Sequence, residues 1–318
     1  MALILDLIAQ LVQMALVLAV APLILGITRK VKARLLRRIG PPVSQPYRDL
    51  WKLMHKEAVL AHNASWLYRT APYTIFAVTW VAAALVPTYS TGLIFSWSAD
   101  LIALVALLAT GRFALALAGM DVGTAFGGIG SSREMMIASL AEPAMLLVVF
   151  TVALIAGTTQ LSSIAAAFTD AHVGLRVSLG LALFAFVFVA IAENARIPID
   201  NPATHLELTM VHEAMVLEYS GRHLAMIEAA AALKLLLYFS LLACLFFPFG
   251  MATADKSITA LALGILVYLA KIVALAILLP VGETAVAKMR VFRYPIFLGG
   301  AFAAAALAVF LLFVSRGF

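Results

Sequence analysis

Long apolar runs alternate with short polar segments along the whole chain. Eight apolar runs are about twenty residues long, the length of a helix that crosses a hydrocarbon core of roughly 30 Å. They lie at about 3–27, 72–90, 100–119, 135–157, 174–193, 225–248, 258–281 and 296–314. The pattern predicts an all-α polytopic membrane protein with eight transmembrane helices. No segment between the runs is long enough for a soluble domain, so we expect a single integral membrane domain over residues 1–318.

The segment between the first two apolar runs predicts a helix of a different kind. Gly40-Pro41-Pro42 is expected to break any helix, because proline lacks the amide donor that a helix needs. From Tyr47 to Leu60, apolar residues alternate with charged ones at a spacing that gives one apolar and one basic face. This pattern favours an amphipathic helix at the membrane interface. A solvated surface helix is the alternative.

Composition and charge refine this picture. The chain is 64% hydrophobic and 12% charged, with 22 Lys and Arg against 16 Asp and Glu. Ten of the basic residues lie within 29–70, directly after the first apolar run. Because cytoplasmic loops of membrane proteins are rich in Lys and Arg, this distribution predicts that both termini lie outside and that the first run is retained rather than cleaved as a signal peptide. Membrane topology accounts for the basic excess, and we expect no nucleic-acid partner.

Cysteine and histidine usage argues against a redox or metal centre in this chain. Cys244 is the single cysteine and lies inside an apolar run, so no intrachain disulfide, iron–sulfur motif or zinc motif can form from cysteines. No two histidines have the i, i+4 spacing of a helical zinc site. We therefore expect no metal and no cofactor in this chain.

Ionisable residues inside the apolar runs are the first candidates for function. An ionisable group in hydrocarbon costs several kcal/mol unless it is paired, neutralised or hydrated. Glu142, Lys234 and Lys271 lie at comparable depths, which suggests mutual pairing. Static ion pairs that hold helices together and a proton relay are both compatible with the pattern. The six candidates are Arg112, Glu142, Glu193, Lys234, Lys271 and Glu283.

The stretch from Glu193 to Glu228 concentrates six of the sixteen carboxylates, together with three histidines. Histidine titrates near neutral pH, so this stretch suits proton exchange between water, a partner protein and the membrane helices. A solvated polar loop is the simpler alternative, and a His/Glu metal site is a less favoured one. The other polar segment, Gly119 to Glu134, is rich in glycine and predicts a flexible loop that caps a cytoplasmic cavity.

Several separated motifs together resemble the NuoH/ND1 family of respiratory complex I. They are Arg37-Arg38-Ile39-Gly40-Pro41-Pro42 with Tyr47-Arg48-Asp49, Asp121-Val122-Gly123 with Ser132-Arg133-Glu134, Glu142-Pro143, Glu193-Asn194, Pro198-Ile199-Asp200, Glu207-Leu208 and Glu218-Tyr219-Ser220-Gly221. The branch that the chain resembles most is the membrane subunit of energy-converting NiFe hydrogenases and formate hydrogenlyases, similar to hydrogenase-4 component C. The resemblance spans nearly the whole chain.

The resemblance implies a non-catalytic subunit that links a peripheral iron–sulfur arm to a membrane arm in a redox-driven proton or sodium pump. It implies hydrogenase-like large and small subunits, an iron–sulfur subunit and antiporter-like membrane subunits as partners, in the prokaryotic cytoplasmic (inner) membrane. Iron–sulfur clusters, and a NiFe centre where the partner retains nickel, would belong to those partners. Quinone binding stays open, because His205 stands where relatives carry a denser row of carboxylates. The alternatives are the quinone-binding subunit of an NADH:quinone oxidoreductase and, from another class, a stand-alone ion-coupled secondary transporter.

The family pattern and the ionisable residues above define two expected groups of site residues. The proton path is expected to use Glu142, Glu193, Asp200, Glu207, His212, Glu213, Glu218, Glu228, Lys234, Lys271 and Glu283. The junction with the peripheral arm, or a quinone-like cavity, is expected to use Arg37, Arg38, Asp49, Asp121, Arg133, Glu134 and His205.

Overall fold

The computed structural model describes residues 2–170, 177–200, 210–252, 257–287, 289 and 293–315. The predicted site residues His205 and Glu207 lie outside them. The described chain is predominantly helical, as the apolar runs predict. Its α-helices are α1 (Ala2–Leu35), α2 (Gln45–Met54), α3 (Trp66–Leu85), α4 (Leu101–Asp121), α5 (Ala125–Ala156), α6 (Leu161–Asp170), α7 (Val177–Glu193), α8 (His212–Val216), α9 (Gly221–Phe246), α10 (Ile258–Ala285) and α11 (Tyr294–Ser315).

Each of the eight predicted spans overlaps one of these helices. Within the described residues, six helices are long and apolar enough to cross a membrane: α1 from Asp6, α4, α5, α9, α10 and α11. The other two are α7, an apolar helix of 17 residues, and α3, whose first half carries Arg69 among several tyrosines and threonines. The structure therefore confirms an all-α integral membrane protein, whereas the number of eight spans stays a prediction.

Helix α9 lies at the centre of the bundle. Of its most apolar stretch, 67% is buried, against 22% for α10 and 28% for α11. α9 packs against α1, α2 and α3, while α11 packs against α5 and α7. The apolar residues that α10 and α11 leave exposed carry no penalty in lipid, because acyl chains are as apolar as leucine. The buried helix α9 therefore contributes residues to polar sites inside the bundle.

The segment after α1 folds back onto the bundle as an amphipathic helix. α1 ends at Leu35, before the Gly40-Pro41-Pro42 break, and α2 begins at Gln45 with Pro46 in its first turn, a position that proline favours. α2 ends at Met54, earlier than the predicted Leu60. Its helical hydrogen bonding stops at His55, and the chain continues as an irregular segment. Trp51 of α2 is 71% exposed.

The glycine-rich segment from Gly119 to Glu134 is helical where a flexible loop was predicted, and that prediction is wrong. α4 continues to Asp121, only residues 122–124 connect it to α5, and the hydroxyl of Thr124 accepts a hydrogen bond from the amide of Gly127. A Cβ atom added at Gly127 would lie 2.0 Å from the carbonyl oxygen of Gly119. The glycines therefore serve the close approach of two helices, as small residues do in membrane bundles.

Candidate functional site

Five ionisable residues from four helices meet inside the bundle, and we call them the Arg112 cluster. Arg112 of α4 lies at the centre. Its Nη1 is 2.7 Å from Glu142 Oε1, its Nη2 contacts Glu193 Oε1, and its Nε is 3.7 Å from Glu134 Oε1. The Nζ of Lys234 on α9 is 3.1 Å from Glu193 Oε2. Two cations and three carboxylates thus share one site between α4, α5, α7 and α9.

The spacing of these residues along the sequence explains how they meet. Glu134 and Glu142 are eight residues apart on α5, about two helical turns, so both carboxylates face α4. Glu193 is the last residue of α7. A buried guanidinium with five donors in a planar fork can contact several carboxylates at once, whereas a lysine ammonium presents a point charge. Arg112 is therefore the residue that holds the three carboxylates together.

Burial varies across the Arg112 cluster. The side chains of Arg112 and Glu193 are 4% and 2% exposed, whereas the side chain of Glu142 is 38% exposed. The cluster thus runs from the interior of the bundle to the outer surface of this chain.

A second ion cluster lies towards the end of α1. The Nζ of Lys32 is 2.6 Å from Glu283 Oε2 of α10, and the Nη1 of Arg196 is 3.7 Å from Glu283 Oε1. The Glu283 side chain is 1% exposed. Opposite charges therefore compensate this buried carboxylate from two different elements.

A cavity of about 350 Å³ lies beside the Glu283 ion cluster, and we call it the chamber. The end of α1, residues 194–200, α8, α9 and α10 form its wall. Ala231 and Ala232 of α9 leave the space open, because their side chains are short. Its charged lining residues are Arg29, Lys32, Arg196, Asp200, Glu213, Glu228 and Glu283. The chamber is thus lined by a mixture of both signs of charge.

Two smaller cavities adjoin the chamber. The α2 cavity, about 160 Å³, shares Arg29 and Glu228 with the chamber and is lined on its other side by Asp49. The inner cavity, about 40 Å³, shares His212 with the chamber and reaches Arg112, Glu134 and Lys234. The three cavities therefore form a series from α2 to the Arg112 cluster.

The chain segment between the chamber and the inner cavity is fixed by a buried aspartate. The carboxylate oxygen Oδ2 of Asp200 accepts hydrogen bonds from the amides of Val211 and His212, each at 3.2 Å. These amides begin α8, where helical donors are otherwise unpaired. Asp200 is 2% exposed, so the start of α8 is anchored in the protein interior.

The environment shifts the titration of both ionisable residues at the start of α8. Burial lowers the pKa of His212 to about 4, and the positive charge of Lys234 acts in the same direction. The ring is therefore neutral at pH 7, unlike the histidine that titrates near neutrality expected from the sequence. Burial raises the pKa of Glu213, and the negative charges of Glu228 and Asp200 add to this effect.

The remaining predicted site residues divide into those near the cavities and those away from them. Asp49 lines the α2 cavity, and the Nη1 of Arg133 donates to the carbonyl oxygen of Met210 at 2.8 Å, just before α8. Asp121 accepts from the amide of Ser65 at 2.8 Å and so joins the end of α4 to the start of α3. Arg37 and Arg38 are exposed after α1.

Two of the described proton-path residues lie outside the three cavities and the two ion clusters. Glu218 is exposed between α8 and α9 and lines none of the three cavities. The Nζ of Lys271 donates to the carbonyl oxygens of Phe247, at 2.6 Å, and Phe249, so it binds the chain end of α9 rather than a carboxylate. The expected mutual pairing of Glu142, Lys234 and Lys271 is wrong: Glu142 pairs with Arg112, and Lys234 pairs with Glu193.

The two expected groups of site residues do not include Arg112, Lys32 or Arg196, the cations that contact the buried carboxylates of Glu193 and Glu283. Arg112 is visible in the sequence as a charge within an apolar run, and this signal was sufficient to find it. Lys32 and Arg196 look like members of basic loops, because the sequence does not show that they contact the buried carboxylate of Glu283.

The fold and the site define a class of protein: a polytopic helical membrane protein that buries an ion cluster beside a charged chamber. The chain belongs to the NADH dehydrogenase family, whose family model matches residues 8–314. This result confirms the resemblance to the NuoH/ND1 family.

Curated relatives lie in two groups. Hydrogenase-4 component C of Escherichia coli (strain K12) is 34% identical over 282 residues, which are 88% of this chain and 87% of that protein. Formate hydrogenlyase subunit 4 of the same organism is 33% identical over 282 residues, 88% of this chain and 90% of that protein. NADH-ubiquinone oxidoreductase chain 1 of Triticum aestivum is 29% identical over 221 residues, 65% of this chain and 66% of that protein.

A solved structure shares the fold. A chain of the membrane-bound sulfane sulfur reductase, an archaeal respiratory membrane complex, superposes with a TM-score of 0.82 at 22% sequence identity. The match covers 96% of this chain and 99% of that chain. The helical arrangement described above is therefore one that occurs in a membrane complex.

Proposed function

We propose that this chain is the membrane subunit that couples a redox reaction in a peripheral arm to proton or sodium translocation in a membrane arm. The observation that carries the proposal is the series of three adjoining cavities from α2 to the Arg112 cluster. The names of the relatives, hydrogenase-4 component C and formate hydrogenlyase subunit 4, support a hydrogenase-type complex. The chain itself is a non-catalytic subunit in this proposal.

The proposed ion path follows the acidic residues of the adjoining cavities. Protons enter the chamber, where Asp200, Glu213, Glu228 and Glu283 lie, and pass through the inner cavity to Glu134 and Glu193. They leave by Glu142, whose side chain is 38% exposed at the surface of this chain. Buried carboxylates in a membrane bundle are the usual components of such relays.

The proposed assembly follows the family resemblance. Iron–sulfur clusters, and a NiFe centre where nickel is retained, belong to hydrogenase-like large and small subunits and an iron–sulfur subunit. The exposed Arg37 and Arg38 face this peripheral arm, and antiporter-like subunits continue the membrane arm. In this proposal the chain is one domain with eight spans and both termini outside, in a prokaryotic inner membrane.

A quinone-binding role is the second candidate, because a cavity of about 350 Å³ is within the range of small-molecule sites, roughly 300–1,000 Å³. Such sites are mostly apolar, however, whereas seven charged residues line the chamber. The lining therefore favours water and protons over a hydrophobic ring. A quinone-site inhibitor is expected to leave turnover of the assembled complex unchanged.

Glu142→Gln tests the coupling role. We expect the purified complex to retain its redox turnover. Ion movement should fall by a factor of about ten or more, which corresponds to an increase of ~1.4 kcal/mol or more in the barrier. The reason is that a glutamine amide neither accepts nor releases a proton near neutral pH. Ion movement is measured in proteoliposomes with a pH-sensitive dye, alongside electron transfer. The control is Glu57→Gln, a change at an exposed glutamate on the loop after α2. Wild-type ion movement per electron in Glu142→Gln contradicts the proposed path.

A stand-alone transporter makes a different prediction for purification. The coupling subunit is expected to co-purify with iron–sulfur proteins and to show no ion transport when isolated. Active transport by the isolated chain in proteoliposomes contradicts the subunit role.

A further inference from the structure

Among the residues that the structure describes, one ionisable residue lies in the wall between the chamber and the inner cavity. The residues that line both cavities are His212, Ile227 and Ala231. The other two are apolar and have no exchangeable side-chain proton. Of the described residues shared by the two cavities, His212 is therefore the one that can take up and release a proton on this route.

The position of His212 is built into the fold. The buried carboxylate of Asp200 holds its amide, and Ala214 and Met215 in the same short helix are 4% and 2% exposed. α8 packs against α4 and α5, the helices that carry Arg112, Glu134 and Glu142. The backbone at His212 is thus held in place between the two cavities by packing of α8 against the bundle.

The two sides of the wall differ in charge. On the chamber side the charged residues are Arg29, Lys32, Arg196, Asp200, Glu213, Glu228 and Glu283. On the inner side they are Arg112, Glu134 and Lys234. Burial and the charge of Lys234 keep the pKa of His212 low, so the resting ring is neutral. A neutral imidazole has one nitrogen that accepts a hydrogen bond and one that donates.

We propose that His212 is the proton-transfer gate between the chamber and the Arg112 cluster. The inference rests on the proposed coupling function. It adds the residue that passes protons from the chamber to the inner cavity. One ring nitrogen accepts a proton from a chamber water or carboxylic acid, and the other nitrogen releases its proton to water in the inner cavity. The ring ends neutral as the opposite tautomer, and a flip of the ring turns its unprotonated nitrogen back towards the chamber, where it can accept the next proton. No net charge stays on His212 after a transfer.

The test uses the assembled complex with His212→Ala and His212→Gln. We expect either variant to retain redox turnover. The number of protons moved per electron should fall at least about tenfold. His212→Gln retains a polar side chain of similar length, so it decides the question if the alanine variant fails to assemble. The matched control is His62→Gln, at an exposed histidine that lines neither cavity.

Chemical rescue separates proton transfer from a structural role. Imidazole and methyl-substituted imidazoles are added to the His212→Ala complex, and proton movement is measured for each base. We expect partial recovery with a rate that depends on the pKa of the added base, as general acid–base transfer requires. Recovery that is independent of this pKa, or wild-type proton movement in both variants, overturns the gate. Absence of ion movement in the wild-type complex itself overturns the coupling function and the gate together.

Discussion

Replacing Arg112 with methionine is expected to destabilise the folded chain by about 3–5 kcal/mol, because it leaves buried carboxylates without their cation. The guanidinium contacts Glu134, Glu142 and Glu193, and Lys234 forms a direct ion pair with Glu193 alone of these three. Methionine fills a similar volume, so the loss of charge rather than a cavity accounts for the expected effect. Thermal unfolding of the detergent-solubilised complex is the measurement.

Two further variants make the Arg112 experiment decisive. Arg112→Lys retains the charge but cannot form a planar fork, so its stability is expected to fall between wild type and Arg112→Met. Arg69→Met removes an exposed arginine of α3 and is expected to change the unfolding free energy by less than about 0.5 kcal/mol. Equal unfolding of Arg112→Met and Arg69→Met contradicts a stabilising Arg112 cluster.

The existence of buried ion pairs could be predicted from the sequence, but the identity of the partners could not. A charge inside an apolar run must be compensated, and Arg112, Glu142, Glu193 and Lys234 all are. Which charges meet depends on how each helix is rotated about its axis, and this is set by packing of the whole bundle. Lys271 shows the consequence: its depth suggested a carboxylate partner, yet it binds carbonyl oxygens at the end of α9.

The chamber could not be predicted for a related reason. Its lining comes from five separate parts of the chain, and Ala231 and Ala232 contribute by being small rather than by any chemistry. In the sequence these alanines belong to an ordinary apolar run. Glu213 and Glu228 were identified as candidates from charge alone, and the fold adds that they share one cavity with Lys32 and Arg196.

The prediction of a flexible loop from Gly119 to Glu134 is wrong because glycine has two opposite structural uses. Freedom of the backbone favours loops, while the missing side chain allows two helices to touch. At Gly123 the backbone φ is +73° in the connection between α4 and α5, which is the first use. At Gly127, which packs against the carbonyl oxygen of Gly119, the missing side chain allows α4 and α5 to touch. The composition of the segment does not distinguish the two.

Gly127→Ala is therefore expected to destabilise the chain by about 3 kcal/mol, since its Cβ would lie 2.0 Å from the carbonyl oxygen of Gly119 and force α4 and α5 apart. Because α4 carries Arg112 and α5 carries Glu134 and Glu142, ion movement should fall with stability. The adjacent Gly128 is a matched control: nothing lies within 4 Å of a Cβ there, so Gly128→Ala should be neutral or stabilising by up to about 1 kcal/mol. Unfolding and proteoliposome assays on both variants compare them directly, and equal behaviour contradicts the close helix contact.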